Sequence, residues 1–348
     1  MLYFVGLGID QSLSLKSIER LRTCNYVFYE SYTSPRVSGD ILSELQTNLP
    51  ERVKVELVKR EFVEDGRKIL EDSKKGNVAL VSSGDPMVAT THQELRSRAI
   101  KDGIATNIVH GSSILCSVSG ELGLHSYNFG RVVTITREPL QYTAYNTIYD
   151  NLFRGLHTTI LLEWDEVHDF FLEPRTAIKE LEDAERDLRH EVLDSSTFML
   201  VASRLGSEDA KLHGVNFEEL KTADLGAPPH VLVLPGKLHY TELEALGVLL
   251  GRNIESIPDN TRLISRLSKR MVQKYTKKTM GALARAKKSA ANKNTTNFAD
   301  VFENVECYTR DSERFLNEGR DELAILSIGY AEGLLDSLRF SGLLEFEW

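Results

Sequence analysis

An α/β protein with an all-helical C-terminal appendage is what three observations on the 348-residue chain predict. Short runs rich in Val, Ile, Leu and aromatics alternate with amphipathic helical stretches as far as residue 255, the trace that βαβ units leave in a sequence. After Pro258 those runs stop, and apolar residues recur every three or four positions instead. Charge changes at the same place: the whole chain is net −9, but residues 262–293 hold eleven Lys/Arg and no acid, and residues 294–348 hold four basic and twelve acidic residues.

The strands are expected in order at Leu2–Val5, Tyr26–Tyr29, Val78–Val81 and Ala105–Val109, with a second set at Thr158–Leu162, Phe198–Ala202 and Val231–Leu234. Each is followed by a loop bearing Gly, Asp, Glu or Ser, and in open α/β sheets ligands bind where such carboxyl-end loops gather. In the C-terminal part, Leu263, Leu267, Met271 and Tyr275 step by four; Phe298, Val301, Phe302, Val305 and Tyr308 keep a three-or-four rhythm, as do Leu323, Leu326, Tyr330, Leu334 and Leu338. These predict a three-helix bundle over 256–348, with Ser256–Asn260 as linker and Asn292–Asn297 as a polar turn.

Composition narrows the class. With 41% hydrophobic and 27% charged residues the chain is neither disordered nor fibrous. Its acidic balance argues against a protein coated along its length by nucleic acid. Cys24, Cys116 and Cys307 are far apart, which fits a reducing compartment and no thiolate metal site. No membrane span or secretory leader is visible, so a cytoplasmic protein without a metal is expected.

Among the loops, Gly6-Leu-Gly8-Ile9 joins a strand to a helix and admits two readings, a plain turn or a backbone approach to a ligand; Gln11 stands where a dinucleotide fingerprint would need its third glycine. In the second loop, Gly84-Asp85-Pro86, proline holds Asp85 extended, suiting either an N-cap or a polar contact. His92 follows it, with no second ligand at metal spacing. The third loop, His110-Gly-Ser-Ser113-Ile114, does not match a nucleophile elbow.

Read together, Tyr3-Phe-Val-Gly-Leu-Gly8, Glu30-Ser-Tyr-Thr-Ser34, Gly84-Asp-Pro-Met-Val-Ala-Thr-Thr-His92, Gly123-Leu-His125, Pro228-Pro-His230 and Pro235-Gly-Lys-Leu-His239 resemble the diphthine synthases. These are the branch of tetrapyrrole-methylase-like methyltransferases that acts on translation elongation factor 2. The resemblance covers about residues 1–255. It implies two α/β lobes, 1–111 and 112–255, with S-adenosylmethionine in the cleft between them, and a homodimer.

Carried over position by position, the resemblance makes Ile9, Asp85, Val88, Ser113, Ile114, Leu162, Leu205 and His230 the cofactor contacts. Two departures are local: Leu162-Glu163 stands where the family often has Leu-Asp, and Ser83 stands where it has Pro. The implied acceptor is the amino group of an aminocarboxypropyl-modified histidine, methylated three times. A sulfonium already activates the methyl group, so alignment rather than a nucleophilic side chain is the main requirement. His92, His125 and His239 are candidate bases.

Leu326-Ser-Ile-Gly-Tyr-Ala-Glu-Gly-Leu-Leu-Asp336 resembles a small archaeal helical domain of uncharacterised function. For the basic stretch 262–293 the favoured reading is neutralisation by the acidic helices that follow; contact with a nucleic acid or an acidic protein surface is the other. Two rival functions remain at this level, a corrinoid or porphyrin-precursor methylase and a non-enzymatic RNA-binding protein.

Overall fold

Alternation within single strands sets up the first lobe. In β1 (Leu2–Gly6), Tyr3 and Val5 enter one apolar cluster and Leu2 and Phe4 another. Both faces are therefore buried, as for a parallel strand covered by helices on each side. The other strands of this sheet are β2 (Tyr26–Glu30), β3 (Lys54–Val58), β4 (Val78–Ser82) and β5 (Thr106–Val109). They pair in the order β3-β2-β4-β1-β5, all parallel. The computed structural model describes residues 1–35, 37, 39–263, 267–292 and 298–348.

A second sheet contains β6 (Val133–Ile135), β7 (Thr158–Leu162), β10 (Phe198–Ser203), β11 (Lys211–Asn216) and β12 (His230–Leu234). Between β7 and β10 the two-residue strands β8 (Trp164–Asp165) and β9 (Phe170–Phe171) make a small hairpin. The second sheet is ordered β11-β10-β12-β7-β6, and only β6 and β7 run parallel. Connection length explains one departure from the parallel pattern: residues 204–210 between β10 and β11 are too few for a crossover, which needs roughly a dozen.

Every expected strand is present to within a residue or so, whereas β3, β6 and β11 escape sequence reading. Lys54, Glu56 and Leu57 leave β3 exposed at a sheet edge, β6 is three residues long, and Gly214 interrupts β11. The three loops after β1, β4 and β5 meet closely. Gly8 and Gly84 exchange two backbone hydrogen bonds, of 3.0 and 2.9 Å. A Cβ at Gly6 would stand 2.5 Å from the Gly84 carbonyl oxygen, and one at Gly111 would stand 2.4 Å from it and 2.5 Å from the Gly8 nitrogen.

The chain divides into two compact units, Met1–Leu263 and Ile264–Trp348. The first extends past the expected boundary at 255 because Asn260, in the expected linker, is buried. Its side chain accepts from the Phe198 N–H at 2.8 Å and donates to the carbonyls of Phe198 (2.8 Å) and Pro235 (2.9 Å).

In the second unit the helices are Leu267–Asn292, Ala299–Asn317 and Asp321–Phe340. Their shared core contains Val272, Leu283, Ala286, Phe302, Val305, Ile328 and Leu335. The expected stripe on the last helix is met in part: Leu338 is buried and Leu334 packs against the core, but Leu326 and Tyr330 are exposed, while Ala324, Ser327 and Ala331 face inward. Small inward residues let helices approach closely, and apolarity alone does not register that. On the first helix the buried row is Val272, Leu283, Ala286 and Ala290 rather than Met271 and Tyr275, which are half-buried. The side chains of Leu263 and Leu267, and residues 293–297 of the expected turn, lie outside the described residues.

Adding one methyl group tests the loop junction. Gly111→Ala is expected to cost roughly 2 kcal/mol or more in thermal unfolding, because only backbone lies in the way and backbone cannot give. Gly120→Ala, in the helix Ile114–Glu121 with nothing within 4 Å of the added Cβ, is expected to gain roughly 0.5 kcal/mol.

Candidate active site

The glycine junction leaves a cavity at the carboxyl ends of the first sheet, closed on its other side by residues of β7, β8, β9 and β12. Ile9, Asp85, Val88, Ser113, Ile114, Leu162, Leu205 and His230 all line this one cavity, although they come from widely separated segments of chain. None of His92, His125 and His239 lies on its wall.

Local chemistry fixes each wall. Gly84, at φ +68, is on the wall, and among the described residues nothing lies within 4 Å of where its Cβ would be, so its backbone faces open space. Asp85 is buried; one carboxylate oxygen accepts from the Met87 N–H at 2.9 Å and the other lies 2.7 Å from His110 Nδ1. Ser113 caps the helix Ile114–Glu121, accepting from the Leu115 N–H at 3.1 Å. From the second lobe come His230, whose Nε2 lies 3.2 Å from the Gly226 carbonyl and whose pKa burial lowers, and Trp164, whose indole Nε1 is buried with no acceptor among the described residues.

Gln11 turns out to be structural as well as cavity-lining. Its amide nitrogen donates to the Pro35 carbonyl (2.9 Å) and Ser83 Oγ (3.2 Å), and its oxygen accepts from the Val37 N–H (3.1 Å). Arg204 donates to the Val37 carbonyl from the second lobe, and Ser31 bonds Glu166 of the β8–β9 hairpin. Sequence reading missed Gln11, Thr33, Trp164 and Phe171. A polar residue where a glycine fingerprint fails was the one available signal, for Gln11; the hairpin strands are too short to show periodicity.

The three histidines lie elsewhere. His92 is fully buried; Nδ1 donates to the Pro86 carbonyl at 3.0 Å, and Nε2 lies 3.8 Å from Glu30 Oε1, neither of these last two atoms having a hydrogen-bond partner among the described residues. Burial pushes Glu30 up to about 7, against the pull of the Tyr32 and Thr33 N–H groups that bond its other oxygen, and burial pushes His92 down to about 4. This pair thus braces the loop carrying Thr33 against the loop carrying Pro86. His125 and His239 share Thr241 Oγ1, at 3.1 and 2.8 Å, near the buried Glu242–His157 pair and beyond the far end of β12 from His230.

The wall suits a methyl donor of mixed polarity. Apolar Ile9, Val88, Ile114, Leu162 and Leu205 can cover an aromatic base, while Asp85 and the open Gly84 backbone offer polar contacts.

Comparison with known proteins bears on the same region. Residues 1–221 match the family of Tetrapyrrole (Corrin/Porphyrin) Methylases, and residues 274–344 match the family described as "Protein of unknown function (DUF357)". The diphthine synthase of Methanosphaera stadtmanae is 33% identical over 266 residues, covering 74% of this chain and 99% of that protein. The diphthine synthase of Methanosarcina acetivorans is 38% identical over 265 residues, covering 71% and 94%. A crystal structure of diphthine synthase superposes with a TM-score of 0.64 at 31% identity, covering 76% of this chain and 99% of the other.

Glu30→Gln separates the two buried titrations. A carboxyl raised from 4.5 to about 7 costs stability progressively as pH rises through that window, and an imidazole lowered from 6.5 to about 4 costs stability as pH falls through its own. The substituted amide keeps an acceptor for Tyr32 and Thr33 but cannot ionise. The melting temperature of the variant minus that of the wild type is therefore expected to climb between pH 5 and pH 8. A difference that stays flat would contradict a buried, neutral-preferring carboxyl.

Proposed function

The chain belongs to the diphthine synthases within the tetrapyrrole methylases, S-adenosylmethionine-dependent methyltransferases, and from that membership we propose that it methylates a modified histidine of translation elongation factor 2. The acceptor in this reading is the amino group of an aminocarboxypropyl-histidine, which takes three methyl groups to become a quaternary ammonium. The proposal includes a cytoplasmic, archaeal setting and a homodimer. Among the described residues, no helix is long and apolar enough to cross a membrane.

One observation carries the site assignment: eight positions scattered from Ile9 to His230 gather on a single cavity wall at the carboxyl ends of the first sheet. Bound there, S-adenosylmethionine supplies a methyl group already activated by its sulfonium. The chain's task is then positioning and exclusion of water. Asp85 offers a carboxylate whose direction is fixed by Met87 and His110, so little reorganisation is needed on binding. Ile9, Ile114 and Leu205 form an apolar floor. Gly206 sits so close to the Ile9 carbonyl, 2.5 Å from where its own Cβ would be, that the lobes meet directly beside that floor.

Each methyl transfer forms a C–N bond, breaks a C–S bond and requires the amine to have lost a proton. Titratable groups on the wall are, among the described residues, Asp85, Glu163 and His230. Glu163 is held by Arg137 through a 3.0 Å pair, and Asp85 by His110. Among the described residues His230 is the imidazole on that wall, and burial lowers its pKa, which weakens it as a proton acceptor.

Incubating the protein with S-adenosylmethionine and an elongation factor 2 that bears the aminocarboxypropyl intermediate is expected to add about 42 Da to the substrate, three methyl groups. Unchanged substrate mass would overturn the reading. In calorimetric titration, Asp85→Ala is expected to weaken S-adenosylmethionine binding by roughly tenfold to a hundredfold, the scale of one lost bond to a charged group.

A further inference from the structure

The methyltransferase reading leaves the helix Leu267–Asn292 unexplained, with its eight Lys/Arg and no acid over 26 residues. Internal neutralisation accounts for its flanks. Lys287 pairs with Glu306 at 2.5 Å and Lys278 with Glu332 at 3.6 Å, while Arg285 donates to the Glu347 carbonyl at 2.8 Å. The outward side is different. Positions 270, 274, 277, 281, 284 and 288 step by four and three along the face opposite the buried row of Val272, Leu283, Ala286 and Ala290.

Four of those six positions are Arg270, Lys274, Lys277 and Lys288; the other two are Gly281 and Ala284. Among the described residues, no carboxylate lies within ion-pair distance of Lys269, Lys274, Lys277 or Lys288. The acidic residues of this unit lie on its other two helices and its C-terminal segment, where residues 298–348 carry twelve acids and four bases. Charge is thus segregated, and a polyanion is drawn to one face and repelled by the rest.

We propose that this face binds the phosphate backbone of a nucleic acid, RNA in the first instance, without reading its sequence. From 270 to 288 the stripe runs about 27 Å at 1.5 Å per residue, long enough to follow several phosphates. Gly281 and Ala284 at its middle present almost no side chain, so a strand can approach the helix closely between the cations. An anionic membrane is a poorer fit, because an interfacial helix inserts an apolar face and here that face is committed to the bundle core. An acidic protein partner is also poorer, since interface cores depend on aromatic or aliphatic anchors and the stripe has none. With no Asn, Gln or aromatic residue at these six positions and lysine at three of its four cations, the stripe is suited to phosphate contact rather than to base stacking.

The full-length protein tests this by fluorescence anisotropy with a labelled 16-base-pair RNA duplex, in a series of salt concentrations. For the three lysines as phosphate contacts at ~0.9 each in the log–log salt slope, affinity is expected to fall roughly fortyfold between about 50 and 200 mM salt. Lys274→Ala, Lys277→Ala and Lys288→Ala combined should flatten that slope by roughly 2.7 while leaving the melting temperature and S-adenosylmethionine binding unchanged; the three Arg replacements should restore it. A second duplex of unrelated sequence should bind equally. Absence of binding, a slope untouched by the alanine variant, or preferential binding to phosphatidylserine vesicles or to an acidic polypeptide would each overturn the proposal. Because methyl transfer is read separately by mass, failure here leaves the enzymatic reading standing, and failure there leaves this one.

Discussion

Three loops can meet at the carboxyl end of the first sheet only because Gly6 and Gly111 lack a Cβ. Gly6, Gly8, Gly84 and Gly111 bring three backbones to within hydrogen-bond and van der Waals distance, and at two of these positions even a methyl group has no place. That contact sets where Ile9, Asp85 and Ser113 stand relative to one another, and with them the floor of the cavity. The glycine pattern after β1 thus serves first a backbone-to-backbone junction, which then creates the space that Gly84 faces. A strand-to-helix turn with no neighbour to meet would not demand this of Gly111.

Around that junction the second lobe is tied in by polar contacts that cross the cleft. Gln11 and Arg204 hold Val37 from opposite sides, and Gly206 rests on the Ile9 backbone. Ser31 reaches Glu166 on the hairpin that carries Trp164. Beneath the wall, the Glu30–His92 pair braces two of the loops from a fully buried position. Its burial explains why a histidine in so distinctive a motif belongs to the support of the cavity rather than to its surface. The same burial disfavours charge on both partners, so the two side chains meet by packing, each hydrogen-bonded to its own loop's backbone.

The helical unit shows a different economy. Its core is built largely from Ala, Val and Leu with small residues inward, while its charges are sorted by helix. Pairing consumes the cations nearest the acidic helices and leaves the outward lysines without a carboxylate among the described residues. A near-zero sum over such a unit conceals a strong dipolar separation, and the separation rather than the sum determines what approaches which face.

Composition, period and loop chemistry by themselves determined the α/β class, seven of the strands and the change to helices near Pro258, because those depend on local alternation and on runs of like character. The resemblance carried by Gly84-Asp85-Pro86 and its neighbours named eight positions that the fold then gathers at one cavity. What only the tertiary structure decided is everything that depends on distance between remote segments. It removed three histidines from the wall and made Gln11 a strap. It turned Leu326 outward and drew Asn260 into the first unit. Among the described residues it also left Lys274, Lys277 and Lys288 without carboxylate partners while pairing Lys278 and Lys287. Periodicity reports which side of an element is apolar, but which charge finds a partner depends on how the elements are turned toward each other.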